Sequence, residues 1–174
     1  KARGILMAVA EGSRTQNKGG AGDTKGGGRS RKAVALVMAL CVLQTRAQIV
    51  ADPNAAANQR PTVLQSANGL PQVNIQTPSA AGVSLNQYKQ FDVNNNGAIL
   101  NNARLNTNTQ TAGMVQGNPN LAGGAARIIV NQVNSANPSL LNGYVEVAGQ
   151  RAQVIIANPA GISVNGGGFI NAST

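Results

Sequence analysis

The chain has 174 residues, with 14 Lys and Arg, 5 Asp and Glu, no His, no Trp and a single Cys, for a net charge of +9. These counts exclude a His-dependent triad, a His metal site, an internal disulfide and a cysteine-metal cluster, so no metal and no cofactor is expected. The aromatics are Tyr88, Phe91, Tyr144 and Phe169, too few for a base-stacking nucleic-acid platform.

The positive charge is segregated. Residues 1–47 hold nine Lys and Arg against Glu11 and Asp23. Residues 48–174 hold Arg60, Lys89, Arg104, Arg127 and Arg151 against Asp52, Asp92 and Glu146. A body this close to neutral releases few counterions from a phosphate backbone, so no nucleic-acid partner is expected.

Residues 1–47 read as a leader. Ala33 to Leu43 form an eleven-residue apolar run behind Arg29, Arg31 and Lys32. That run is too short for a bilayer, which needs roughly 20 apolar residues. A basic flank, a short apolar core and a small-residue site make a secretory signal, with an n-region over 1–32 and an apolar core over 33–43. Thr45 and Ala47 supply the small residues that a peptidase reads, which places cleavage near Ala47. Cys41 then leaves with the leader. A buried core helix is the competing reading of 33–43, but no apolar-periodic segment flanks it. The first residue is Lys1, so the natural start is expected upstream.

From Gln48 onward no helix is predicted. Asn, Gly and Thr are poor helix formers, and Pro53, Pro61, Pro71, Pro78, Pro119, Pro138 and Pro159 interrupt the chain. Short β-prone runs recur instead: Val63-Leu64, Val73 to Ile75, Val83 to Leu85, Phe91 to Val93 and Ala98 to Leu100. They continue with Arg127 to Val130, Tyr144 to Val147, Val154 to Ile156 and Ile162 to Val164. Several alternate apolar with polar, the signature of a strand with one buried face. Turns such as Asn68-Gly69, Asn96-Gly97, Asn142-Gly143 and Asn165-Gly166 separate them.

This pattern fits a closed antiparallel sandwich or barrel, or a parallel β-helix in which each short strand stacks on the strand one turn below. Small and mid-sized apolar residues with abundant Asn favour the coil, whose core is narrow and whose bends stack in columns. At about 20–25 residues per turn, residues 48–174 would form roughly five or six turns. Residues 48–82, richer in Pro and less regular, are expected to cap the N-terminal end, with the turns over 83–174. The run from Gly168 to Thr174 carries no stop signal, so the chain is expected to continue.

Two motifs stand beside apolar strands: Asn118-Pro119-Asn120-Leu121 and, about 40 residues later, Asn158-Pro159-Ala160-Gly161-Ile162. As local chemistry each is a tight turn: Asn initiates it, Pro fixes φ and Asn or Gly completes it. With Gly82 to Asn86, Gln90 to Val93, Gly97 to Asn102, Gly143 to Gly149, Ala152 to Pro159 and Ser163 to Gly166, they resemble the secretion domain of two-partner secretion exoproteins. This is the haemagglutination-activity domain of filamentous haemagglutinins and contact-dependent inhibition toxins. Arg3 to Glu11 resembles the extended signal-peptide region of the same proteins. Ala160 departs from the family's usual Asn.

The resemblance implies an all-β, right-handed parallel β-helix with an N-terminal cap. It also implies export through the periplasm of a Gram-negative bacterium to the cell surface or medium. The implied partner is an outer-membrane transporter of the Omp85-like type, which recognises the domain through its POTRA domains. Host or target-cell contacts fall to the part beyond residue 174. Asn118, Pro119, Asn120 and Leu121, with Asn158, Pro159, Ala160, Gly161 and Ile162, are assigned to transporter recognition or fold nucleation. Two rival readings are an adhesin domain that binds glycans or host cells directly, and a polysaccharide-active β-helical enzyme. With only Asp52, Asp92 and Glu146 as acids, no catalytic residue is assigned.

Overall fold

The computed structural model describes residues 48–173. The predicted signal segment, with Cys41 and the cleavage point at Ala47, lies outside the described residues.

Three short strands open the body: β1 (Ile49–Ala51), β2 (Thr62–Gln65) and β3 (Pro71–Asn74). The coil then begins. Its first turn carries β4 (Val83–Phe91) and β5 (Ala98–Asn102). A hairpin of β6 (Thr107–Thr109) and β7 (Gly113–Val115) follows, then a single 3-10 turn at Pro119–Leu121. The second turn carries β8 (Ile128–Val133), β9 (Ser139–Leu141) and β10 (Tyr144–Gly149). The third carries β11 (Ala152–Ala157), β12 (Ile162–Val164) and β13 (Gly168–Ile170), and β14 (Ala172–Ser173) starts a fourth.

Parallel register ties equivalent positions of successive turns. Val83 pairs with Ile128, and Ile128 with Gln153. Ala98 pairs with Val145, and Val145 with Phe169. Ser139 pairs with Ile162, and Val93 bridges Leu141. The result is a parallel β-helix with three strand-bearing faces. At its N-terminal end the strand direction reverses, since β1 runs antiparallel to β4 and β2 antiparallel to β3.

Ile128 and Gln153 are 25 residues apart, within the expected turn length. Val83 and Ile128 are 45 apart, because residues 103–127 leave the coil. The described body therefore makes three turns, not five or six. The missing turns are taken up by this insertion and by the residues before β4.

The core inverts the simplest reading of the alternation. On β4 the fully buried residues are Ser84, Asn86, Tyr88 and Phe91, while Val83, Leu85 and Gln87 are half-buried on the outer face. Asn86 pairs in register with Asn131 of the next turn. The Asn86 Oδ1 accepts the Gln76 N–H at 2.8 Å, and its Nδ2 donates to the Val130 carbonyl at 3.3 Å. The Asn131 Oδ1 accepts the Tyr88 hydroxyl at 2.9 Å, and its Nδ2 donates to the Ile155 carbonyl at 3.3 Å. Amides satisfied in this way are tolerated inside. No buried side-chain polar atom lacks a partner among the described residues. The Tyr88 and Phe91 rings meet edge to face at 5.0 Å, a favourable arrangement for an aromatic pair.

A second, smaller cluster lies on the outer face of the β5–β10 sheet, where the hairpin drops Ala112 and Val115 onto Ile99 and Ala148. Burying side chains such as Ile99 and Val115 contributes about 1.5–3 kcal/mol each. This explains why all five residues of β5 are buried: one face sees the core, the other the hairpin.

Candidate functional site: the Asn-Pro turns

Asn118 caps the 3-10 turn. It is extended, at φ −78 and ψ 117, and its Oδ1 accepts the Asn120 N–H at 3.0 Å. Its carbonyl accepts the Leu121 N–H at 3.1 Å. Pro119, first in the turn, has no N–H to satisfy and stands exposed. The Asn118 Nδ2 reaches inward and donates to the carbonyls of Ile75 and Asn101, both at 2.9 Å. The Asn118 backbone N–H donates to Ala103 at 2.7 Å. The side chain is 2% exposed, with every polar group engaged.

The rest of the motif completes the anchorage. The Asn120 Nδ2 also donates to the Ile75 carbonyl, at 3.1 Å, and the Asn120 carbonyl accepts the Thr77 hydroxyl at 2.9 Å. Leu121 is buried in the main core. The Arg104 guanidinium donates to the carbonyls of Leu121 and Ala122, at 3.2 and 3.1 Å, which binds the C-terminal side of the turn. The motif thus joins the exit of β3 to the end of β5. An open groove of about 660 Å³ runs beside it, with Leu105, 81% exposed, at its rim.

Asn158 repeats the same chemistry at the β11–β12 corner. Its Oδ1 accepts the Ala160 N–H at 2.9 Å and its carbonyl accepts the Gly161 N–H at 3.0 Å. Its Nδ2 donates to the Asn137 carbonyl at 2.9 Å and to the Ser139 hydroxyl at 3.0 Å. The Ser139 N–H in turn donates to the Gly161 carbonyl at 3.0 Å. Gly161 stands at φ +107, a conformation open to glycine. Pro159, Ala160 and Ile162 are exposed. The two motifs sit at different corners and share no hydrogen bond among the described residues.

The partner of Asn158 belongs to a third Asn-Pro pair, outside the two motifs. Asn137-Pro138 lies 21 residues before Asn158-Pro159, one turn below it. The repeat spacing was the signal available in the sequence. Below that pair, the Gln90 Nε2 donates to the Pro138 carbonyl at 3.3 Å, and the Asp92 Oδ1 accepts the Leu140 N–H at 2.8 Å. Side-chain amide and carboxylate bonds thus run through three turns at one corner.

The three acids of the body are spread apart. Asp52 accepts the Asn134 Nδ2 and the Asn54 N–H, both at 2.9 Å, and these bonds, that of Asn134 foremost, hold its carboxyl below the usual carboxylate range. Asp92 serves the corner just described. Glu146 binds the hairpin tip on the opposite sheet. No group of three or more His, Cys, Asp or Glu placed to hold a metal ion occurs among the described residues.

The family model for the TPS secretion domain matches residues 47–174. "Toxin CdiA" of Yersinia pestis is 53% identical over 183 aligned residues, which cover 99% of this chain and 6% of that protein. "tRNA nuclease CdiA-2" of Burkholderia pseudomallei (strain 1026b) is 46% identical over 187 aligned residues, with the same coverage of 99% and 6%. The chain therefore spans about 6% of the length of these curated relatives. Among solved structures, the crystal structure of a filamentous hemagglutinin secretion domain aligns with a TM-score of 0.65 at 40% identity, over 72% of this chain and 40% of that one. The capped parallel β-helix and both Asn-Pro motifs lie within the matched span, and the chain belongs to the TPS secretion domain family, the secretion module of CdiA- and filamentous-haemagglutinin-type exoproteins.

Proposed function

We propose that this domain directs a much longer exoprotein across the outer membrane, through recognition by the periplasmic POTRA domains of an Omp85-like transporter. The carrying observation is the family match over residues 47–174. In this reading the leader is removed near Ala47 in the periplasm, and the chain is threaded outward before it folds. The exoprotein ends at the cell surface or in the medium of a Gram-negative bacterium, as an adhesin or as the carrier of a toxin. The domain itself is not an enzyme, and its three carboxylates serve the fold.

The Asn-Pro motifs act here as folding nodes. A chain rich in non-local strand pairing folds slowly without a template, which keeps it threadable. Each completed turn offers an edge of unpaired N–H and C=O groups to the next. Asn118 supports this role, because its polar groups are consumed within the fold and a partner meeting the folded domain would find only Pro119 exposed. A transporter that reads Asn118 must therefore meet it before folding.

The test is export in cells that carry the cognate transporter. The 174-residue chain should reach the medium only when the transporter is present. Asn118→Ala and Asn158→Ala should each lower its yield. Export without the transporter would overturn the reading. Undiminished export of both variants would remove the motifs from it.

A further inference from the structure

We infer that Glu146 is a folding latch, which docks the inserted hairpin onto the second turn of the coil and makes the insertion wait for that turn. Val145 and Val147 of β10 point into the main core, so Glu146 and Ala148 between them face outward. An outward glutamate is expected in water, yet Glu146 is 4% exposed, because the tip of the hairpin lies over it. Its Oε1 accepts the Gln110 N–H at 2.7 Å. Its Oε2 accepts the Thr111 N–H at 2.9 Å and the Thr111 hydroxyl at 2.6 Å. A carboxylate taken out of water is tolerated when its oxygens are occupied by donors in this way, and such charge-assisted bonds are the strong ones.

The contacts sort the order of assembly. The hairpin precedes Glu146 in the chain by 35 and 36 residues. A two-stranded hairpin by itself is marginal in water. Its partners from earlier in the chain include Ile99, under Ala112 and Val115, Asn68, whose Nδ2 donates to the Thr111 carbonyl at 2.8 Å, and Asn101, whose Nδ2 donates to the Gln116 carbonyl at the foot of β7 at 2.9 Å. Glu146 and Ala148 complete its seat, and both belong to the second turn. The Gln110 and Thr111 amides at the hairpin tip therefore lack their acceptor, and Ala112 and Val115 part of their seat, until residues 146–148 arrive. In a chain that folds from its N-terminus, docking of the insertion reports that the second turn is complete. This goes beyond the export reading and does not depend on it.

The decisive experiment is pulsed hydrogen exchange with mass spectrometry on the 174-residue chain as it refolds from denaturant. Amides of 107–115 should gain protection together with those of 144–149, and after those of 83–91. Protection of 107–115 ahead of 144–149 would overturn the latch. A second measurement uses Glu146→Gln, which keeps the size but sets an NH2 against donors on one side. Native-state exchange at 107–115 should rise at least tenfold in this variant, with 83–91 and 128–133 unchanged. Exchange at 107–115 equal to that of the unaltered chain would also overturn it. If Glu146→Gln does not fold, the refolding order of the unaltered chain decides alone.

Discussion

Asn118 donates its side-chain amide to the carbonyl of Ile75, forty-three residues upstream, at 2.9 Å. The same amide reaches Asn101, and the Oδ1 caps the turn through Asn120. Asn118→Ala removes all three bonds from a buried site and leaves the Asn101 carbonyl without this donor. The loss should be about 2–3 kcal/mol, the sum of an unsatisfied buried group and a lost cap. Asn158 makes equivalent bonds at a half-buried corner where water can replace them. Asn158→Ala should cost about 1 kcal/mol. Urea midpoints of the two variants test the ranking, and equal losses would contradict it.

Close approach between turns makes a second prediction. A Cβ on Gly143 would stand 2.0 Å from the Asn94 carbonyl oxygen and 2.9 Å from the Gly97 nitrogen, both backbone atoms of the turn below. Neither can swing aside as a side chain would, so Gly143→Ala should cost about 3 kcal/mol or more. A Cβ on Gly161 would meet nothing within 4 Å, and its only penalty is the φ of +107. Gly161→Ala should cost about 1–2 kcal/mol, the strain of one unfavourable backbone position. Thermal melts of both variants test the difference.

The runs beginning at Val83, Ala98, Tyr144, Val154 and Ile162 fall on strands, because β-branched residues between Gly and Asn turns report local geometry directly; Arg127 lies just before β8, Ile75 just after β3, and Phe91 to Val93 runs past the end of β4 to a single bridge at Val93. Nothing local announces the hairpin over 107–115. Thr107-Asn108-Thr109 has no apolar alternation, and its stability comes from Glu146 and Ile99, far away in the chain. Which face of β4 turns inward was equally invisible locally. Leu85 lies outside and Asn86 inside because Asn131 arrives 45 residues later to share an amide column with it. The Asn-Pro motifs were legible as turns from Pro119 and Pro159 alone. Their partners, Ile75 and Asn137, depend on how the coil stacks, which no local pattern encodes.

Asp52 ties the start of the body to the β8–β9 turn. The Asn134 amide is the larger cause of its lowered pKa, and the Asn54 N–H the next. A carboxyl with a folded pKa below its unfolded value of about 3.9 adds stability above that value. The contribution is lost as pH falls through the folded pKa, since the unfolded chain takes up the proton first. Asn134→Ala should therefore lower the denaturant midpoint at pH 6 and leave a shallower decline between pH 4 and 2. Parallel acid declines in the variant and the unaltered chain would show that the bond to Asn134 does not matter.

Tyr88 should limit stability at alkaline pH. It is fully buried, and burial pushes its phenol well above the ordinary range. In the unfolded chain it ionises near pH 10, so its contribution is complete below that value and is lost as pH rises further. Each pH unit above about 10 should then remove about 1.4 kcal/mol through this group, since one proton is released on unfolding. Tyr88→Phe keeps the ring against Phe91 but strands the Asn131 Oδ1, which accepts the hydroxyl at 2.9 Å. The variant should be less stable by about 1–2 kcal/mol at pH 8, the cost of an acceptor left without its donor. By pH 11 its curve should meet or cross that of the unaltered chain, because the ionising group is gone while the packing remains. Denaturant titrations at pH 8, 9.5 and 11 measure both effects. A constant gap between the two proteins across that range would mean that the phenol does not govern alkaline unfolding.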